Sequence, residues 1–296
     1  MTSPQVSAIL VNYNAGRELA IALRSIADEL AGQPWEGVVI DNASSDGSTA
    51  AVAEFGQHVR LERNDKNLGF GRAVNQGLAK VVAPLVLIMN PDCRLMTGAL
   101  MSMRTGLERA PSCAVVGPKI LDPDGAVQGS ARGDPNMLTG LFGRTTFLRR
   151  LLPELAVSKR NIISPTVLGG GSSTVVDWVS GACLLARREA LLQAGGFDER
   201  YFLYWEDADL CRRLRECGHH VLYVPSAIAI HRVGRSSRTA RAAAIRAFHA
   251  SAYLYYATHV AATSPPKRVL ARMLLAVRCW LQLKKSIHDS PHGDET

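Results

Sequence analysis

The sequence predicts an α/β fold: a mostly parallel sheet covered by helices on both faces, followed by a helical C-terminal region. Three observations carry this. Compact apolar runs of strand length alternate with segments of helical period through the first 120 residues. Asn and Asp residues stand directly behind several of those runs. From about residue 240 strand patterning stops and helical patterning takes over.

Ser7 to Val11 is the first strand run, and Asn12-Tyr13-Asn14 follows it. Glu18 to Leu30 has helical spacing through Leu19, Leu23, Ile26 and Leu30. Val38-Val39-Ile40 is the next strand, ending at Asp41; Thr49 to Phe55 reads as a short helix and Val59-Arg60-Leu61 as a strand. Arg72 to Val82 is helical, Leu85 to Met89 a fourth strand, Met96 to Glu108 helical and Ala114-Val115-Val116 strand-like. Asp122-Pro123-Asp124-Gly125 is a turn, because Pro presets one torsion and Gly accepts positive φ. Ala131 to Ser173 is the least regular stretch, open to reading as a lid or as a disordered connector, with Gly169-Gly170-Gly171 inside it. Val175 to Leu185 returns to strand patterning, Arg187 to Ala194 is a short helix closed by Gly195-Gly196, and Asp207 to Glu216 is another helix. Val221 to Val224 and Ile228 to Ile230 read as two late short strands. Ala240 to Ala262 is an Ala-rich, aromatic helical stretch, and Pro266 to Ile287 is amphipathic.

Composition bounds the class. The 296 residues suffice for one large or two modest domains, and the formal charge of +8 suits a polyanionic or membrane-surface partner as well as a basic soluble protein. None of the six cysteines falls in a Cys-x-x-Cys pair, so zinc-ribbon and thioredoxin readings fail and a reducing compartment is expected. No basic segment precedes an apolar run at the N-terminus, so no signal peptide is expected, and no apolar stretch is long enough to span a bilayer. In the last helix Val269, Leu270, Met273, Leu274, Val277, Trp280 and Leu281 share a broad face, with Arg268, Arg272, Arg278 and Lys285 outside it. Such a helix lies on an anionic bilayer or packs on the domain with its basic face in water; both readings stand.

The polar groups behind the strands point to a ligand. In parallel sheets ligands bind beyond the carboxyl ends of the strands, where Asn12, Asn14, Asp41, Asn42, Asn90 and Asp92 fall. A carboxylate at position 41 can accept from a pyrimidine imide or a ribose hydroxyl; Asp46-Gly47-Ser48 reads as turn and N-cap. Gly69 and Gly71 can bring backbone N–H groups near a phosphate at a helix start, with Arg72 adding a charge-assisted bond and Asn75 one turn on. This is no dinucleotide fingerprint, since Val74 occupies the last glycine position. Asn90-Pro91-Asp92 offers one carboxylate to a divalent cation, which takes its remaining ligands from phosphate oxygens. Tyr204-Trp205-Glu206-Asp207 offers carboxylates at a helix start, suited to take a proton from an attacking hydroxyl. His231 ends a strand and is a candidate ligand to the same metal, and Arg232 or Arg235 could meet a diphosphate. Together these describe an enzyme that moves a sugar from a nucleotide carrier.

These motifs, with Trp178-Val-Ser-Gly-Ala-Cys-Leu-Leu-Ala-Arg-Arg188 and Gly195-Gly-Phe-Asp-Glu-Arg-Tyr-Phe-Leu-Tyr-Trp-Glu-Asp-Ala-Asp-Leu210, resemble glycosyltransferase family 2 over Val6 to Ser237. These are inverting transferases of the GT-A fold, a Rossmann-like nucleotide-sugar-binding sheet, and the resemblance is to the bacterial rhamnosyltransferase branch. It implies that Asp41 contacts the nucleoside base and that Asp92 stands at the metal-binding Asp-x-Asp position, with Asn90 replacing the first Asp. It implies that Asp207 is the catalytic base, Glu206 shapes the acceptor pocket, and His231 is a metal ligand. Trp178, Gly181, Ala182 and Trp205 would line the cleft between donor and acceptor. The implied division is a transferase domain over 1–238, with nucleotide half 1–120 and acceptor half 121–238, and a helical region over 239–296 that is a candidate for membrane association. The implied cofactor is Mg2+ or Mn2+. The implied reaction moves L-rhamnose from dTDP-β-L-rhamnose to a polyprenyl-diphosphate-linked or cell-surface polysaccharide acceptor, in the cytoplasm or at the inner face of the plasma membrane.

Rival readings are a UDP-sugar-dependent galactofuranosyl or glucosyl transferase of the same family and a silent nucleotide-sugar-binding scaffold. Nucleic-acid binding lacks any supporting motif, and no Gly-x-Ser-x-Gly elbow supports a serine hydrolase. The oligomeric state is open.

Overall fold

A computed structural model describes residues 3–134, 172–232 and 241–288. Nine strands form one sheet. β1 (Val6–Asn12), β2 (Trp35–Asp41), β3 (Val59–Arg63) and β4 (Leu85–Met89) pair in parallel in the order β3-β2-β1-β4. β10 (Cys183–Arg187) then runs antiparallel between β4 and β6 (Cys113–Leu121), and β11 (His220–His231) is parallel to β6. Two short strands close the far side antiparallel to β11: β5 (Cys93–Leu95) on its end and β8 (Thr174–Val176) on its start. β7 (Ala131–Arg132) and β9 (Trp178–Val179) make a separate two-stranded ribbon.

Strand alternation sorts the core into two layers. Val6, Ala8 and Leu10 of β1 face Leu19 and Leu23 of α1 (Glu18–Glu29) and Leu100 and Met103 of α3 (Ala99–Arg109). Ile9 and Val11 face the other way, into a layer shared by α2 (Phe70–Leu78), α4 (Arg188–Gln193) and α5 (Glu206–Glu216). All these side chains are buried, at about 1.5–3 kcal/mol each for a large aliphatic group, so the layers hold the strand ends in fixed register.

Several boundaries differ from the sequence reading. The two late strands are one, β11, whose pairing with β6 shifts between Val224 and Ile228; Pro225 lies in that gap and cannot donate to the ladder. Ser48–His58 is a 3-10 segment kinked at Gly56. Most of the irregular 131–173 stretch lies outside the described residues, as do Gly169 to Gly171 and Arg235.

Beyond the sheet, α6 (Arg241–Tyr255) runs into a π-helical turn, Tyr256–Val260, and then α7 (Pro265–His288). Ala271 and Leu275 of α7 are buried, Ala271 against Tyr256 and Ala261, but the wide apolar stripe foreseen from the sequence faces outward. Val269, Met273, Val277, Trp280 and Leu281 are each more than half exposed. Residues 241–288 contain eight Lys and Arg and no Asp or Glu, leaving 26 basic against 26 acidic residues elsewhere; the whole net charge of +8 resides here.

Candidate active site

The predicted polar residues open onto one edge of the sheet, and topology puts them there. β1, β2 and β4 are parallel, so Asn12, Asp41 and Asn90 emerge together. β10 runs the opposite way and so begins at this edge, immediately after Gly181 and Ala182. β11 ends there, and its pairing with β5 sets Cys93 opposite His231, which brings Asp92 beside the imidazole.

On the β1–β2 side the groups build a tight frame. The buried Asn12 donates through Nδ2 to Asp41 Oδ1 at 2.8 Å and to Ser48 Oγ at 2.8 Å. Asp41 Oδ2 accepts from the Ser44 N–H, and Asn14 Oδ1 accepts from the Ser45 N–H. Asn42 donates to the Gly69 carbonyl and accepts from Asn64, which also pairs with Gln76. Asp46 accepts from the N–H groups of Gly16 and Ser48, the structural job foreseen for it, although Gly47 rather than Ser48 occupies the N-cap.

Gly69 and Gly71 are explained by close packing. The Gly69 N–H donates to Asn67 Oδ1 and the Phe70 N–H to the Phe202 carbonyl, so neither is free to cradle a phosphate. Gly69 has φ +87°, and a Cβ there would lie 2.4 Å from the Phe202 carbonyl oxygen; at Gly71 it would press on Phe197. Arg72 is half exposed and pairs with Glu199 at 3.5 Å. Asn75 both donates to and accepts from the Phe197 backbone. These four residues join α2 to the 197–202 segment, a docking contact that the sequence did not announce.

At the β4 end His231 Nε2 lies 3.2 Å from Asp92 Oδ1 and 3.4 Å from the Asn90 amide nitrogen. Gln128 orients the ring. Its Nε2 donates to Asp122 Oδ1 and to the His231 carbonyl, which leaves Oε1 as the group 3.1 Å from His231 Nδ1. Nδ1 therefore donates to Gln128, and Nε2 is the ring nitrogen turned towards Asp92. One carboxylate and one imidazole fit a divalent cation that draws its other ligands from phosphate and water. Among the described residues no cluster of three or more His, Cys, Asp or Glu side chains that could hold a metal ion exists, so those residues alone offer no closed metal cage. Gln128 went unnoticed in the sequence; the signal was the Asp122–Gly125 turn, which folds Gln128 back onto Ile120.

Glu206 and Asp207 open α5 from a strained turn. Tyr204 and Trp205 both have left-handed backbones, φ 69° and 71°, which costs bulky residues about 1–3 kcal/mol each. Asp207 Oδ2 accepts from the Gly181 N–H at 2.9 Å and Oδ1 from the Ala208 N–H at 2.8 Å. The far end of the same dipeptide completes a bridge: the Ala182 carbonyl accepts from the Asn90 N–H at 2.9 Å. The two acidic motifs, more than a hundred residues apart, thus meet across the dipeptide Gly181-Ala182.

Burial raises the Asp207 pKa, against the pull of its two N–H donors. Glu206 is buried with Oε2 unpartnered, and burial followed by the Asp207 charge pushes its pKa to about 8. Burial thus opposes both neighbouring charges, and the Asp207 charge adds to what Glu206 must overcome to ionise. Trp178 lies close by, with Nε1 on the Gly133 carbonyl and the Arg132 guanidinium 5.0 Å over its ring. Trp205 packs with Trp178 around Tyr201, Ala208 and Tyr255.

The mostly parallel sheet with its polar edge is that of a GT-A fold, and solved structures agree on the fold. A Pyrobaculum calidifontis mannosyltransferase, solved with GDP-Man and Mn2+, superposes with TM-score 0.53 at 18% identity over 99% of this chain and 82% of its own. GalNAc-T7, solved with UDP, GalNAc and Mn2+, gives 0.58 at 16% identity, over 78% of this chain and 44% of its own. The family model for glycosyl transferase family 2 matches residues 7–155, and the chain belongs to that family of glycosyltransferases. It is 34% identical over 95% of its length, and 94% of the relative's, to the N-acetylglucosaminyl-diphospho-decaprenol L-rhamnosyltransferase of Mycobacterium tuberculosis. It is 37% identical to the rhamnosyltransferase WbbL of Escherichia coli over 35% of this chain and 38% of that one.

Proposed function

We propose that this glycosyltransferase moves L-rhamnose from dTDP-β-L-rhamnose to a sugar hydroxyl on a polyprenyl-diphosphate-linked acceptor, inverting the anomeric centre in one displacement. The likeness to the decaprenol-linked rhamnosyltransferase, over nearly the whole of both chains, supports donor sugar and acceptor class. The observation that carries the chemistry is the Gly181-Ala182 bridge, which sets a buried carboxylate beside the Asn90–Asp92–His231 edge.

In this reading Asp207 takes the proton of the acceptor hydroxyl as its oxygen attacks the anomeric carbon. The bond from that carbon to the diphosphate breaks, and the nucleoside diphosphate leaves with the electron pair. Asp92 and His231 would hold a divalent cation, which would supply positive charge to the departing diphosphate. Asp41, braced by Asn12, meets the base or ribose, and neutral Glu206 adds no second charge beside the acceptor. Residues 1–238 form the transferase unit, with 1–120 serving the nucleotide and 121–238 the acceptor. The basic 239–296 region brings it to the inner face of the plasma membrane, where such an acceptor resides. No helix among the described residues is long and apolar enough to cross a membrane, and the outward apolar stripe of α7 suits interfacial binding.

The test is a donor screen on purified protein with Mg2+ or Mn2+ and a short-chain lipid-diphosphate N-acetylglucosamine acceptor. dTDP-rhamnose should turn over, and NMR of the product should show the inverted anomer. Turnover with UDP-sugars in its place, or a retained anomer, rejects the assignment.

A further inference from the structure

We propose that α6, outside the α/β sheet, is a clamp that holds the turn presenting Glu206 and Asp207, so that Phe248 and Ser251 are positioning residues for the reaction. The inference rests on Asp207 being the base. It starts from the strain in the turn. Two consecutive aromatic residues with left-handed backbones do not persist unless their surroundings over-determine them. The buried Trp205 Nε1 and Glu206 Oε2 atoms add to the cost, since neither has a hydrogen-bond partner among the described residues.

The restraint comes from two sides. Towards α2, the Phe202 carbonyl accepts from the Phe70 N–H and its backbone lies against Gly69. The residues that adopt the left-handed conformation are met by α6. Ser251 Oγ, buried, donates to the Leu203 carbonyl at 2.9 Å. The Phe248 ring meets Tyr204 edge-on at 5.8 Å and Trp205 at 5.9 Å, and Tyr255 lies 5.4 Å from Trp205 on the next turn of α6. A fourth tie bypasses the turn. His259, in the π-helical turn after α6, sits 2.7 Å from Asp209 Oδ1, two residues beyond the base in the first turn of α5.

These contacts bear on the backbone that aims the Asp207 carboxylate at Gly181, and none of them falls on the Asn12–Asp41 frame or the Asn90–Asp92–His231 edge. Losing them should therefore leave nucleotide binding alone and misdirect the base. A helix that merely covered the core would contribute to the melting temperature and leave turnover per folded molecule unchanged.

The test compares Phe248→Ala, Phe248→Tyr, Ser251→Ala and Asp207→Asn in the full chain, reading kcat, donor KM and the folded fraction by near-UV circular dichroism. Phe248→Ala should lower kcat about 10- to 100-fold, because small misplacements of a reacting group cost that much. Donor KM should stay within about twofold, the signature of a lost transition-state contact. Phe248→Tyr, which keeps the ring, should recover most of the rate. Ser251→Ala removes a single hydrogen bond and should fold even where Phe248→Ala does not; it should lower kcat several-fold. Wild-type kcat in Ser251→Ala, or equal loss of kcat in Phe248→Ala and Phe248→Tyr, overturns the clamp. If Asp207→Asn is inactive while the α6 variants turn over normally, only the clamp falls; if Asp207→Asn is active, the base assignment falls and takes the clamp with it.

Discussion

The carboxylate of Asp207 and the backbone N–H of Gly181 are joined by a 2.9 Å hydrogen bond, and a Cβ placed on Gly181 would lie 3.3 Å from the Cβ of Asp207. The pairing is close enough that position 181 tolerates no side chain without moving the carboxylate. Gly181→Ala should therefore lower kcat about tenfold with little loss of melting temperature. Steady-state kinetics beside a thermal melt checks this, and an unaltered kcat would detach Gly181 from the chemistry.

Asp207→Asn keeps the shape and both N–H neighbours but removes the basic oxygen. Turnover should drop about 10²- to 10⁴-fold, the usual worth of a positioned base, with nucleotide affinity by calorimetry unchanged. Near-wild-type turnover would rule Asp207 out.

Glu206 makes a pH-dependent stability prediction. Its folded pKa, about 8, lies above its ordinary value of 4.5. Between these values the folded state binds more protons than the unfolded chain, so stability falls as pH rises through the window. In Glu206→Gln the corresponding part of the slope should vanish, leaving a flatter profile of melting temperature against pH from about 4.5 to 8. An unchanged slope would mean that Glu206 is ionised throughout.

Gln128→Leu removes the acceptor that fixes the His231 tautomer. Mn2+ affinity in the presence of a nucleoside diphosphate, followed by electron paramagnetic resonance, should weaken about 10- to 100-fold. Equal affinity in variant and wild type would show that His231 does not need this partner, or is not a ligand.

Removing residues 266–296 deletes the exposed stripe and much of the basic charge. Flotation with vesicles containing phosphatidylglycerol should fall sharply, and binding by the intact chain should weaken as salt rises. Undiminished flotation by the truncated chain would place the membrane contact elsewhere.

Much of this architecture was legible in the chain alone because it depends on local period. β4 was bounded to the residue, and the strand-helix alternation of the first half required a largely parallel sheet, so Asn12, Asp41 and Asn90 had to share an edge. Only the tertiary structure could assign the rest, because those roles arise between segments distant in sequence. The spacing of Gly69, Arg72 and Asn75 did not announce that they meet Phe202, Glu199 and Phe197. The Asp122–Gly125 turn announces that the chain folds back before position 128, but not that Gln128 meets a histidine 103 residues away. The strain at Tyr204 and Trp205 is invisible in residue type, since aromatic residues seldom adopt positive φ and do so here under packing from α6. Local sequence thus set which strands form and what stands behind them, whereas long-range packing decided which of those polar groups face one another and which serve only to hold the frame.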